Sequence, residues 1–219
     1  MRYNNYLTLV CRASRLPMIS TSFARSLSSA MSKALTKSNR TALVLGLYKD
    51  ADGEAKYTKS TAKYLEKHPE LASQLPHIIG SKFEKGAVRI VYDQKDYDVV
   101  CLTNIGKDSA EKYSELEEVY TNREDIRSSI SKSIRALAEQ SVSHVAVDSC
   151  GDPQASAEGA VLSNYAFDEF KTVKKDKVEI TPYEIADNAL TQWDCGVTVA
   201  EAQNFSRWLV VDNSASLPT

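Results

Sequence analysis

From about residue 40 onward, short apolar runs alternate with longer stretches whose apolar residues recur at helical spacing. Ala42 to Tyr48 (ALVLGLY) is apolar at nearly every position, which predicts a strand buried on both faces of a sheet. Asp50 to Glu54 is polar, contains Gly53 and reads as a loop. Thr58 to Leu75 reads as a helix with Ala62, Leu65 and Leu71 toward one side, and Pro69 bends it or ends a turn. Ala87 to Tyr92 (AVRIVY) follows Gly86, and Tyr97 to Leu102 (YDVVCL) follows after only Asp93 to Asp96. That short connection predicts an antiparallel hairpin.

Asp108 to Val119 is acidic and compatible with a surface helix or an ordered loop. Thr121 and Glu124 have capping-box spacing, in which hydroxyl and carboxylate each satisfy a first-turn donor. The helix they would open carries Ile126, Ile130, Ile134 and Leu137 as one apolar face. Val145 to Val147 is a short buried strand that breaks at Asp148 and Gly151. Asp152 is placed to cap the next helix, with Pro153 at its first position, where the missing N–H had no partner anyway. Along that helix Ala157, Val161 and Tyr165, widened by Leu162, form the predicted apolar face. Lys171 to Lys177 reads as a solvated basic loop and Val178 to Thr181 as a last short strand. Leu190 to Val211 is apolar on more than one side, through Trp193, Val197, Ala200, Phe205, Trp208 and Leu209, so this helix must be covered by something. Strands alternating with amphipathic helices predict a three-layer α/β/α domain with a mixed, mostly parallel sheet.

Composition narrows the function classes. With 42% hydrophobic and 26% charged residues among 219, the chain resembles a soluble globular protein, and no run approaches the roughly 20 apolar residues of a membrane span. The net charge of -2 conceals an asymmetry: residues 1 to 49 hold eight of the 27 basic residues and no acid, which leaves 19 basic against 29 acidic residues in the remainder. An acidic body argues against nucleic acid as partner. Residues 1 to 33 are Arg- and Ser-rich and acid-free, the composition of a mitochondrial transit peptide, with Met31 as a second start that would give a cytosolic form. The expected location is the mitochondrial matrix, the cytoplasm or both. Cys11, Cys101, Cys150 and Cys195 are too far apart for a CxxC site and read as reduced thiols.

Two stretches carry a family resemblance. Cys150-Gly151-Asp152, followed by Ala157 to Leu162 (AEGAVL) and Tyr165, resembles the strand, turn and helix that end the N-terminal domain of the cytosol leucyl aminopeptidase family. Gly196 to Leu209 (GVTVAEAQNFSRWL) is similar to the linker helix of that family, and Thr103 to Lys107 to one of its strand ends. The resemblance covers residues 41 to 210. It implies a domain at 41 to 190 whose fold is similar to the macro-type α/β fold, followed at 191 to 219 by the linker helix and a truncated start of the catalytic region.

What the resemblance implies about chemistry is mostly negative for this chain. Full-length family members are homohexamers that remove N-terminal residues such as leucine with two divalent metals, zinc, manganese or magnesium. Their metal-binding motifs lie in the C-terminal domain and match no position here, so no catalytic, cofactor-binding or metal residue is assigned. The implied role is structural, inactive alone, with full-length aminopeptidase subunits as partners. The alternatives are a macro-like ADP-ribose-binding module or a regulatory subunit of a full-length paralogue.

The residues were also weighed for chemistry of their own. His68, His77 and His144 are scattered without HExxH spacing. Ile105-Gly106-Lys107 lacks the spacing of a phosphate loop. Ser149 and Cys150 end a strand but have no nearby base. Of the carboxylates Asp148, Asp152 and Glu158, Asp152 reads as a helix cap and Glu158 as a surface residue. The two Trp of the last helix are expected to be partly exposed.

Overall fold

The run at Ala42 to Tyr48 forms a strand with six consecutive buried positions, the core of the sheet. The computed structural model describes residues 40–49, 54–80, 82–92, 94–108, 113–115, 119–172 and 177–216, all in the unit Ser38–Thr219. The expected leader, and most of the loop at 50–54 and of the basic run, lie outside the described residues. In chain order the elements are β1 (Thr41–Tyr48), β2 (Lys56–Tyr57), α1 (Lys59–Lys67), α2 (Pro69–Ile79), β3 (Val88–Tyr92), β4 (Val99–Gly106), β5 (Tyr113–Ser114), β6 (Val119–Tyr120), α3 (Thr121–Ala138), β7 (His144–Val147), α4 (Pro153–Ser163), β8 (Glu179–Pro182) and α5 (Asp187–Ser216).

The main sheet runs β3-β4-β1-β7-β8, with β2 added to the end of β1. β4, β1, β7 and β8 are parallel, whereas β3 pairs antiparallel with β4 as the short connection predicted. This is the mixed, mostly parallel sheet expected, and helices cover both faces. Because successive strand side chains point to opposite faces, β1 divides its residues between two cores. Leu43, Leu45 and Leu47 meet Tyr64, Leu65, Leu71, Leu75 and Ile79 of α1 and α2. Ala42 and Val44 meet Ile126, Ile130, Ile134 and Leu137 of α3, the face expected from their spacing, together with Ala155, Ala157 and Ala160 of α4 and Trp193 of α5.

Several expectations change in detail. The first helix is two helices, because Pro69 starts α2 after a break at His68, and α2 continues past Leu75 to Ile79, where Gly80 takes φ 56°. The cap falls one residue earlier than the capping-box spacing predicts: the N-cap is Tyr120, without a side-chain bond, so Thr121 already lies inside α3, and Glu124 pairs with Arg127 at 3.2 Å. Tyr165 falls beyond the end of α4, and that helix is buried on nearly every side from Pro153 to Ala160 because α3 and α5 both press on it. The described part of Asp108 to Val119 contains the pair β5–β6 rather than a helix. Trp193 is buried against the core, while Trp208 is half-buried, so only one of the two Trp meets the expectation of exposure.

Candidate functional site

β1 ends at the one place where the chain leaves neighbouring strands toward opposite faces of the sheet. After β1 the chain passes to α1 and α2; after β4 and β7 it passes to α3 and α4. Open α/β sheets bind ligands in the crevice outside the carboxyl ends of the strands at such a switch point. A crevice of about 220 Å³ lies there, lined by Tyr48, Ile105, Lys107, Asp108, residues at the start of α3, and Cys150 to Asp152.

Local chemistry explains how these residues are held. Asp152 caps α4 as its position before Pro153 predicts, its Oδ1 accepting from the Ala155 N–H at 2.9 Å, while Oδ2 meets Arg123 Nε at 2.8 Å. The preceding turn needs left-handed backbone at Cys150 (φ 52°) and Gly151 (φ 87°). Two bonds fix the Cys150 conformation despite its side chain: the Tyr48 hydroxyl donates to its carbonyl at 2.8 Å, and its N–H donates to Asp148 Oδ1 at 3.2 Å. The other carboxylates of the crevice are paired as well, Asp108 with Lys56 at 3.1 Å and Asp125 with Lys85.

The buried candidates for independent chemistry are committed to structure. Cys150 is 1% exposed, and burial, followed by the neighbouring Asp148, pushes its thiol well above the ordinary range, so no thiolate is available at neutral pH. Burial likewise pushes Cys101 up to about 12 and raises the Tyr48 phenol. Asp148, 1% exposed, accepts from the Thr58 hydroxyl and from the Gly46 N–H, tying β1, α1 and β7 together. Glu158 is not a surface residue: it is 3% exposed, held by Arg127 at 2.6 Å and by Gln154 at 2.9 Å. Asp148, Asp152 and Glu158 therefore stand in three separate networks and make no acid pair.

The histidines stay apart. His68 stacks on Tyr64 and bonds Asp96 at 3.0 Å, His144 pairs with Glu179 at 3.0 Å, and His77 lies in the last turn of α2. Among the described residues no group of three or more His, Cys, Asp or Glu is placed to hold a metal ion, so these residues do not fit a two-metal centre. No described helix is long and apolar enough to cross a membrane.

Sequence reasoning missed Arg123 and Arg127, the two guanidiniums that engage Asp152 and Glu158. The available signal was their four-residue spacing beside the apolar face of α3, opposite a following helix of small residues that leaves room for long side chains.

The model of the cytosol aminopeptidase family, N-terminal domain, matches residues 44–174. This chain belongs to the cytosol aminopeptidase family. Its N-terminal-domain character is supported by the human cytosol aminopeptidase, 34% identical over 185 residues that make up 82% of this chain but 35% of that protein. The Xenopus tropicalis cytosol aminopeptidase is 32% identical over 83% of this chain and 35% of its own length. The chain thus spans about a third of the family members it matches. A solved structure, the bottromycin maturation enzyme BotP, is similar over 81% of this chain and 33% of its own, with a TM-score of 0.52 and 19% identity, a likeness of fold.

Proposed function

We propose that this chain acts as the non-catalytic N-terminal domain of a metallo-aminopeptidase that releases residues such as leucine, inactive alone and serving assembly with full-length aminopeptidase subunits. The observation that carries the reading is the match itself, which falls on the N-terminal domain and corresponds to about a third of each relative. The site agrees with it, since Asp148, Cys150, Asp152 and Glu158 all serve packing, capping or buried pairing. The far half of α5 supplies a contact surface: Phe205, Leu209, Val210 and Val211 are exposed, an apolar cluster of the kind that marks interaction sites. In this reading the acid-free leader directs the chain to the matrix or, from Met31, leaves it in the cytosol.

The ADP-ribose alternative would use the crevice, but three carboxylates line it, each already holding a cation, and a diphosphate would have to displace those pairs. A regulatory subunit differs from a passive domain only in its effect on the partner.

The test is leucine release from a leucyl anilide by the purified chain in zinc, manganese and magnesium, alone and mixed with a full-length family aminopeptidase, with masses measured by light scattering. The expected outcome is no release by the chain alone and co-elution with the full-length enzyme. Release by the chain alone, at a rate above buffer and abolished by a chelator, would overturn the proposal; a changed rate of the full-length enzyme on mixing would favour the regulatory form.

A further inference from the structure

A second cavity, of about 640 Å³, lies on the opposite side of α3 from the sheet, with α4 as its floor and α3 and α5 as its walls. The floor is recessed because small residues let both walls approach closely. A Cβ added at Gly159 would stand 2.6 Å from the Arg127 carbonyl oxygen of α3, and one added at Gly196 would stand 2.5 Å from the Gln154 carbonyl oxygen of α4.

The charge of this groove is opposite to that of the body. Arg127 is occupied by the buried Glu158 and by Glu124. Arg135 and Arg207 are exposed, and neither has a carboxylate partner among the described residues; Arg207 bonds the Asn204 amide oxygen, at 3.3 Å, while the Lys132 ammonium turns away from the groove toward Gly86. Two arginines without a carboxylate partner among the described residues therefore face one groove, in a chain that is otherwise acidic beyond residue 49.

We infer that this groove docks a carboxylate-rich segment of a partner protein. Charge complementarity chooses the occupant, because like-charged partners are suppressed and opposite ones steered to such a surface. Size agrees: the α3 wall from Glu124 to Arg135 is about 16 Å long at 1.5 Å per residue, and about five extended residues span it. Nucleic acid fits less well, since no aromatic ring lines the groove to offer a stacking platform. The inference stands independently of the aminopeptidase reading, whose contact surface is the apolar end of α5.

The experiment uses the full chain and a fluorescein-labelled 12-residue peptide of alternating Glu and Ser, read by anisotropy. Saturable binding is expected, weakened severalfold between about 50 and 300 mM salt, as the Debye length shortens. The Arg135→Glu/Arg207→Glu double variant should weaken binding about tenfold or more, and because both side chains are exposed its circular dichroism should be unchanged. A Lys59→Glu/Lys171→Glu control, equal in charge but outside the groove, should bind like the wild type. The inference is overturned if the peptide does not bind, if the control loses as much affinity as the groove variant, or if a single-stranded DNA 12-mer binds more tightly than the peptide.

Discussion

The two faces of the sheet are packed by opposite means. On the α1–α2 face, large side chains fill the space: Leu43, Leu45, Leu47, Tyr64, Leu71 and Leu75 are all at most 2% exposed. On the α3–α4 face the strand side chains are smaller, Ala42 and Val44 from β1 and Cys101 from β4, and the helices come close enough for backbone to touch backbone. The first face depends on volume supplied, the second on volume withheld. That closeness also permits a further layer, because α4 can be buried by the sheet, α3 and α5 at once only if it offers Ala155, Ala157, Gly159 and Ala160 rather than bulky residues.

The comparison breaks most clearly under deletion on one side. Leu45→Ala should destabilise the chain by about 2–5 kcal/mol, measured by urea denaturation, since it removes a fully buried side chain and leaves a cavity. Addition on the other side should come next. Gly159→Ala would ordinarily strengthen a helix by about 0.8–1.0 kcal/mol. Here the new Cβ meets Arg127 backbone from 2.6 to 3.1 Å, and the expected result is a net loss of about 1–3 kcal/mol. A gain in the urea midpoint for Gly159→Ala would show that the second face tolerates volume and that the contrast is wrong.

The smallest effect lies at the rim of the α1–α2 face, where Glu184 is clamped by Lys63 at 2.8 Å and Lys67 at 2.9 Å. The bond from Lys63, followed by that from Lys67, lowers the Glu184 carboxyl from 4.5 to about 2. A carboxyl that titrates lower when folded binds fewer protons than in the unfolded chain, so its stabilisation is complete above about pH 4.5 and is lost as pH falls toward 2. Glu184→Gln should cost less than about 1 kcal/mol at pH 7, as exposed ion pairs generally do, and should flatten the fall in stability between pH 4.5 and 2. An unchanged pH profile in the variant would remove the clamp from the account.

Legibility in the sequence followed the range of the interaction. β1, the β3–β4 hairpin, the Ile126-Ile130-Ile134 face and the Asp152 cap were readable because hydrophobic period and capping act within a few residues. The capping box at Thr121 had the right local spacing but lost to a helix that begins one residue earlier, with Tyr120 at its cap. Glu158 was misread as exposed because its partner Arg127 lies 31 residues away on another helix. The crevice and its ion pairs were not readable, since Lys56 meets Asp108 and Lys85 meets Asp125 only once β1, β4 and α3 are assembled.

By itself, then, the chain's order of apolar runs and helical stripes determined an α/β domain with a mixed sheet, and the Cys150 to Tyr165 stretch pointed to the aminopeptidase family. Both follow from patterns that are local in sequence. Which carboxylates are buried, which thiols are silenced and that Arg135 and Arg207 meet at one groove were decided only by the tertiary structure. Solvation and Coulomb interaction depend on distance through space, and Asp148 meets the Thr58 hydroxyl only when residues 90 positions apart are folded together.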